Sequence, residues 1–265
     1  MTFAPIIPLG GFAGWSFLNR TRDQQEATFV AQPQLSRETA YFAENIGSVT
    51  SAADLVADRQ LLKVTLGAFG LGDDLNNRAF IQKVLEEGTL DSDAFANRLT
   101  DTRYREMSAA FGFGDLGTPN TQISTFPDEI ISAYQTQEFE IAVGNQSSDM
   151  RLALTLEREI GDLASNTSNT EGGKWFLIMG NEPLRTVFQT ALGLPTDIAS
   201  IDVEKQRELF ENKALSVFGD KSVAQFSDPD KQEELIRRFF ALGEVASTNA
   251  AIQSGASAAL FLLQN

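Results

Sequence analysis

The chain has 265 residues, 42% of them hydrophobic and 22% charged, and its 36 Asp and Glu against 21 Lys and Arg give a net charge of -15. It contains no Cys and no His, which excludes disulfides, thiolate nucleophiles, zinc–thiolate sites, His-ligated haem and every Ser–His or Cys–His couple. So acidic a surface repels phosphate polyanions and anionic lipid, so neither nucleic acid nor a membrane surface is an expected partner.

In chain order, residues 1–33 read as an apolar N-terminal arm carrying Phe3, Ile6, Ile7, Phe12, Trp15, Phe17 and Leu18. It is too apolar for a free tail, so it either packs on the body or docks on a partner. It lacks a basic start and is interrupted by Pro5, Pro8, Gly10 and Gly11, a poor secretory signal, so a cytoplasmic location is expected. From Pro33 the pattern turns helical. Helices are expected over 36–46, 52–57 with Ser51 as cap, 59–69 with Leu61, Leu62, Thr65, Leu66 and Phe69 on one apolar stripe and closed by Gly70, 74–87 closed by Gly88, 91–98, and 102–111 between Asp101 and Gly112. Residues 112–127 read as loop. Pro127 then opens the longest helix candidate, with an apolar face from Ile131 to Leu163 and a break allowed at 144–148. After the polar loop 165–173, helices follow over 174–179, 183–192, 203–217, 230–242 and 256–263.

No stretch sustains the period-two alternation of a strand, and no Asn-Gly or Asp-Gly hairpin occurs, so the fold class is all-α. No run of about 18 apolar residues exists to span a membrane. The 20 Phe, beside 3 Tyr and 2 Trp, supply much of the core.

A weak duplication organises the chain. Residues 61–71 align without a gap on 184–194, with Val64/Val187, Ala68/Ala191, Gly70/Gly193 and Leu71/Leu194 identical. The expected organisation is an arm (1–33), a first helical repeat (34–117), a linker and long bridging helix (118–165), a second repeat (166–245) and a C-terminal helix (246–265). The repeats are expected to pack as one body.

The motifs that suggest chemistry are weak. Gly112-Phe-Gly-Asp-Leu-Gly117 matches a dinucleotide loop in letters, but it follows a helix where the fingerprint needs a strand. Asp228-x-Asp230 lacks the glycine and glutamate of a calcium loop and reads as a helix cap. Arg98, Arg103, Arg105, Arg237 and Arg238 read as solvated faces or as ion pairs with neighbouring Asp and Glu. No catalytic, cofactor or metal residue is assigned, and no cofactor is expected. The residues singled out for partner contact are Phe12, Trp15 and Phe17 in the arm and Leu260, Phe261 and Leu263 at the C-terminus.

The stretch from Asp54 to Asp74 (Asp54-Leu-Val-Ala-Asp-Arg-Gln-Leu-Leu-Lys-Val-Thr-Leu-Gly-Ala-Phe-Gly-Leu-Gly-Asp-Asp74), with Phe80–Gly88, Phe95–Tyr104 and Ala110–Phe113, resembles an alphaproteobacterial family of proteins of unknown function often encoded beside flagellar genes. The resemblance spans about residues 17–245 and brings no catalytic residues with it. It implies a flagellar connection by genomic neighbourhood. Together these readings favour a non-enzymatic helical protein that binds another protein, an accessory or chaperone-like component of flagellar assembly or motility, with homo-oligomerisation open to its apolar ends. The alternatives are a small-ligand-binding helical domain and an enzyme using carboxylate or Lys chemistry in a cleft between the repeats.

Overall fold

The computed structural model describes residues 3–263, apart from the side chains of residues 196, 247 and 249 onward. Among the described residues there are twelve α-helices and no strand. They are α1 (Gly11–Val30), α2 (Pro33–Asn45), α3 (Ala52–Ala57), α4 (Arg59–Ala68), α5 (Arg78–Glu87), α6 (Thr102–Phe111), α7 (Phe126–Gly144), α8 (Ser148–Ser165), α9 (Glu171–Gly180), α10 (Glu182–Ala191), α11 (Val203–Phe218) and α12 (Pro229–Leu263). The fold class is all-α, as the missing strand pattern predicts.

Capping chemistry explains many of the boundaries. Ser51, Asp58, Asp101, Ser147, Thr170, Asn181 and Asp202 each accept a backbone N–H from the first turn of the helix they open. Asp58 also receives the Tyr41 hydroxyl at 2.7 Å, tying the start of α4 to α2. The ends of α4 and α10 share one geometry. Gly70 and Gly193 adopt φ of 67° and 64°. The next residue, Leu71 or Leu194, donates its N–H five residues back, to Leu66 at 2.7 Å or Gln189 at 2.9 Å. That is the Schellman closure, which needs a residue without a Cβ penalty in the left-handed region.

The chain divides into two compact units: Met1–Ile6 with Thr21–Val143, and Ile7–Arg20 with Gly144–Asn265. In the first, α3 packs on α4 and α5, α2 on α4, and α5 on α6. Its core includes Phe42, Phe111, Tyr134 and Phe139, all at most 1% exposed. In the second, α10 packs on α8, α9 and α12, and α9 on α11. There Trp175, Phe188, Phe210 and Phe226 are fully buried. Phe188 stands edge-on to Trp175 at 5.5 Å and to Phe226 at 5.1 Å.

The structure adds to several local expectations and revises others. Within the arm, residues 11–30 form a 20-residue helix, whose first half belongs to one unit and second half to the other. The bridging segment is two helices, separated at residues 145–147 inside the break allowed at 144–148, where Ser147 caps α8. The separate C-terminal helix is the continuation of α12, which runs unbroken for 35 residues. Phe69, expected on the buried stripe, is half-exposed as the residue that closes α4, whereas Phe188 is fully buried.

Candidate functional site

The two terminal segments singled out for partner contact belong to the same unit. The first turns of α1 are held against α8 and α12. A Cβ at Gly14 would fall 2.8 Å from the Met150 methyl and 1.9 Å from the Leu9 carbonyl oxygen, so only glycine fits there. Trp15 is 2% exposed, with its ring 6.2 Å from that of Phe240. The Arg237 guanidinium lies 4.8 Å over the half-buried Phe12 ring, a cation–π contact. The Glu244 carboxylate occupies the space beside Gly11, where a Cβ would come within 1.8 Å of Oε1. An anion there is favoured by the positive end of the α1 dipole. Trp15 is thus a core residue of this unit, while Phe12 and Phe17 lie half-buried at its edge.

Past Phe240 on the same helix, Glu244 is exposed and Val245 is 55% exposed. Glu244 is also the last charged residue of the chain, since residues 245–265 hold no Asp, Glu, Lys or Arg. Leu260, Phe261 and Leu263 fall on this stretch of α12, and their side chains lie outside the described residues. No helix among the described residues is long and apolar enough to cross a membrane.

A separate polar cluster in the other unit joins α2, α4 and α7. Glu38 accepts the Tyr134 hydroxyl at 2.6 Å, the Lys63 ammonium at 2.5 Å and the Gln34 amide at 3.2 Å. Burial pushes the Glu38 carboxyl up, but these donors outweigh it and hold the group below the usual carboxylate range. Burial, with the Glu38 charge added, raises the neighbouring Glu138 against the pull of Lys63. Burial and the Glu38 hydrogen bond raise the Tyr134 hydroxyl well above its ordinary value. Gly67 permits this convergence, because a Cβ there would fall 2.5 Å from the Tyr134 ring. The two carboxyls are therefore shifted in opposite directions around one ammonium. The sequence gives no warning of it, since 36 acids offer no way to choose a pair.

The buried Lys174 is structural. Lys174 donates to the Ala164 carbonyl at the end of α8 and to Glu171, both at 2.8 Å. Glu171 in turn accepts the Val223 N–H at 2.7 Å. Among the described residues no three carboxylates converge as a metal cage.

A family model described as "Protein of unknown function (DUF1217)" matches residues 68–232. Among solved structures, the chain is similar to the X-ray crystal structure of protein AGR_C_984 from Agrobacterium tumefaciens. The two share 30% identity over 91% of this chain and 98% of that one, with a TM-score of 0.72. Among curated proteins nothing matches.

Proposed function

This chain belongs to the DUF1217 family, and on that footing we propose that it is a non-enzymatic helical protein whose work is to bind another protein. The observation that carries this reading is the end of α12. After Glu244 the helix continues to Leu263 with no charged residue. A helix of this length without charged pairs is marginal in water, and laying its apolar side chains on a partner would stabilise it. Phe12, half-buried beside Arg237, lies on the same unit. The flagellar assignment and the cytoplasmic or flagellar location rest on the resemblance to a family encoded beside flagellar genes. The Agrobacterium tumefaciens relative is consistent with an alphaproteobacterial origin. We also read the shared closures of α4 and α10 as a trace of one duplicated helical unit.

The test is a tagged full-length chain recovered from its native cells beside a Leu260→Asp/Phe261→Asp variant. A protein recovered in stoichiometric amount by the first and lost by the second supports the reading. Equal recovery by both removes the α12 contact. A turnover reaction abolished by one substitution, with no partner recovered, overturns the function itself. The second reading, carboxylate chemistry, has a specific centre in the Glu38–Lys63–Tyr134–Glu138 cluster. It requires that Glu138→Gln abolish such a turnover.

A further inference from the structure

The turn at residues 112–117, whose glycines copy a dinucleotide loop in letters, is built to lock two loops together. A Cβ on Gly114 would fall 2.4 Å from the Glu86 carbonyl oxygen and 2.4 Å from the Gly88 nitrogen, so the two backbones touch. Asp115 then accepts the Thr89 N–H at 2.7 Å, the Leu90 N–H at 2.9 Å and the Thr89 hydroxyl at 2.8 Å. Burial opposes its charge, but these donors outweigh burial and hold the carboxyl below its ordinary range. From the other side, the Asn97 amide donates to the carbonyls of Thr89 at 2.8 Å and Asp91 at 2.7 Å.

This clamp holds two leucines outward on fixed backbone. Leu90 is 78% exposed and Leu116 is 47% exposed, and both adjoin the Asp115 carboxylate. Their surroundings are mainly acidic: residues 86–93 and 112–118 contain Glu86, Glu87, Asp91, Asp93 and Asp115 and no Lys or Arg, and of these Glu87 is already paired with Lys83 at 3.7 Å. A second copy of the chain would set one acidic rim against another, so the complementary occupant is basic.

We propose that this clamp is a docking surface for a basic amphipathic segment of a partner protein. The segment covers Leu90 and Leu116 with apolar side chains and sets Lys or Arg against Glu86, Asp91 and Asp93. The inference rests on the protein-binding reading above and adds a contact separate from α12. Its form is an apolar pair ringed by charge, with the backbone ordered before binding.

The experiment is site-specific photo-crosslinking of the full chain in its native cells. p-Benzoylphenylalanine is placed singly at Leu90, at Leu116, at Phe12, at Phe261 and at the exposed control Leu215. Each variant is first shown to keep the wild-type melting temperature. The expected result is one partner captured from both Leu90 and Leu116 and not from Leu215, with a cross-linked peptide of net positive charge. Capture from Leu116 is expected to be lost in an Asp91→Lys/Asp93→Lys background of unchanged melting temperature. Capture only at Phe12 or Phe261 overturns this surface and leaves the protein-binding reading standing. No capture at any position overturns both. Capture of a second copy or of an acidic peptide, or capture that survives the lysine substitutions, overturns the basic occupant.

Discussion

Replacing Phe188 by Ala strikes the centre of one hydrophobic core. The ring is fully buried and stands edge-on to Trp175 and Phe226. Truncating a buried Phe costs about 3–5 kcal/mol through lost transfer energy and the cavity left behind. Each edge-to-face pair contributes about 0.5–1.5 kcal/mol beyond area burial, which places this site at the upper end, about 4–5 kcal/mol. Both tryptophans of the chain, Trp15 and Trp175, belong to the unit that contains Phe188. Tryptophan fluorescence during urea unfolding therefore reports that unit, while far-UV circular dichroism reports all twelve helices. The expected result is an earlier fluorescence midpoint at unchanged slope. Phe69→Ala, at a partly exposed position in the other unit, should cost less, since its ring is not fully removed from water. A fluorescence-monitored loss below about 1.5 kcal/mol for Phe188→Ala, or an equal loss for Phe69→Ala, would refute the packing argument.

The polar cluster gives two predictions of opposite sign. Glu138 has a folded pKa raised above its ordinary 4.5, so the stability it contributes is present below that value and lost as pH rises through the folded pKa. Glu138→Gln should therefore match the wild type in acid and melt higher at neutral pH; an equal or lower melting temperature at pH 7 would contradict this. Glu38 has a lowered folded pKa, so its contribution is present above 4.5 and fades as pH falls through the folded value. Glu38→Gln should lose about 1–3 kcal/mol at pH 7, because Lys63 and Tyr134 lose a charged acceptor, and the deficit should shrink in acid. A deficit independent of pH, read by urea unfolding across pH 3–7, would count against the ion-pair account. Gly114→Ala should cost about 1–3 kcal/mol, since its Cβ meets backbone that cannot swing aside. A thermal shift within error of zero would show that the two loops separate freely.

The parts of the fold legible in sequence were those set by local chemistry. Ser51, Asp101, Gly70, Gly88 and Gly112 mark helix ends because capping is decided within a few residues. Residues 11–30 were illegible as a helix for a physical reason. Trp15 and Leu18 are buried in one unit, Gln25 and Phe29 in the other, so no single apolar stripe runs the length of the helix. The continuity of α12 was hidden because 245–255 is small and polar, a composition that helix and loop share. Sequence picked out the terminal segments as apolar but could not divide Trp15, a core residue, from Phe12 at the edge. The Glu38–Glu138 pair depends on residues 100 positions apart, and spacing does not report such a meeting.

The division of α1 between the units has a consequence for synthesis. Residues up to Val143 hold everything one unit needs, so it can close while the ribosome is still at work. Trp15 and Leu18 cannot be buried then, because the helices that cover their stretch, α8 and α12, are made later, α12 last of all. At roughly 5–20 residues per second, the hundred-odd residues between those events keep this early apolar stretch in water for about 5–20 s. The nascent chain therefore carries an uncovered hydrophobic turn near its front end until almost its last helix is made, a period in which a holding factor or a second chain can capture it.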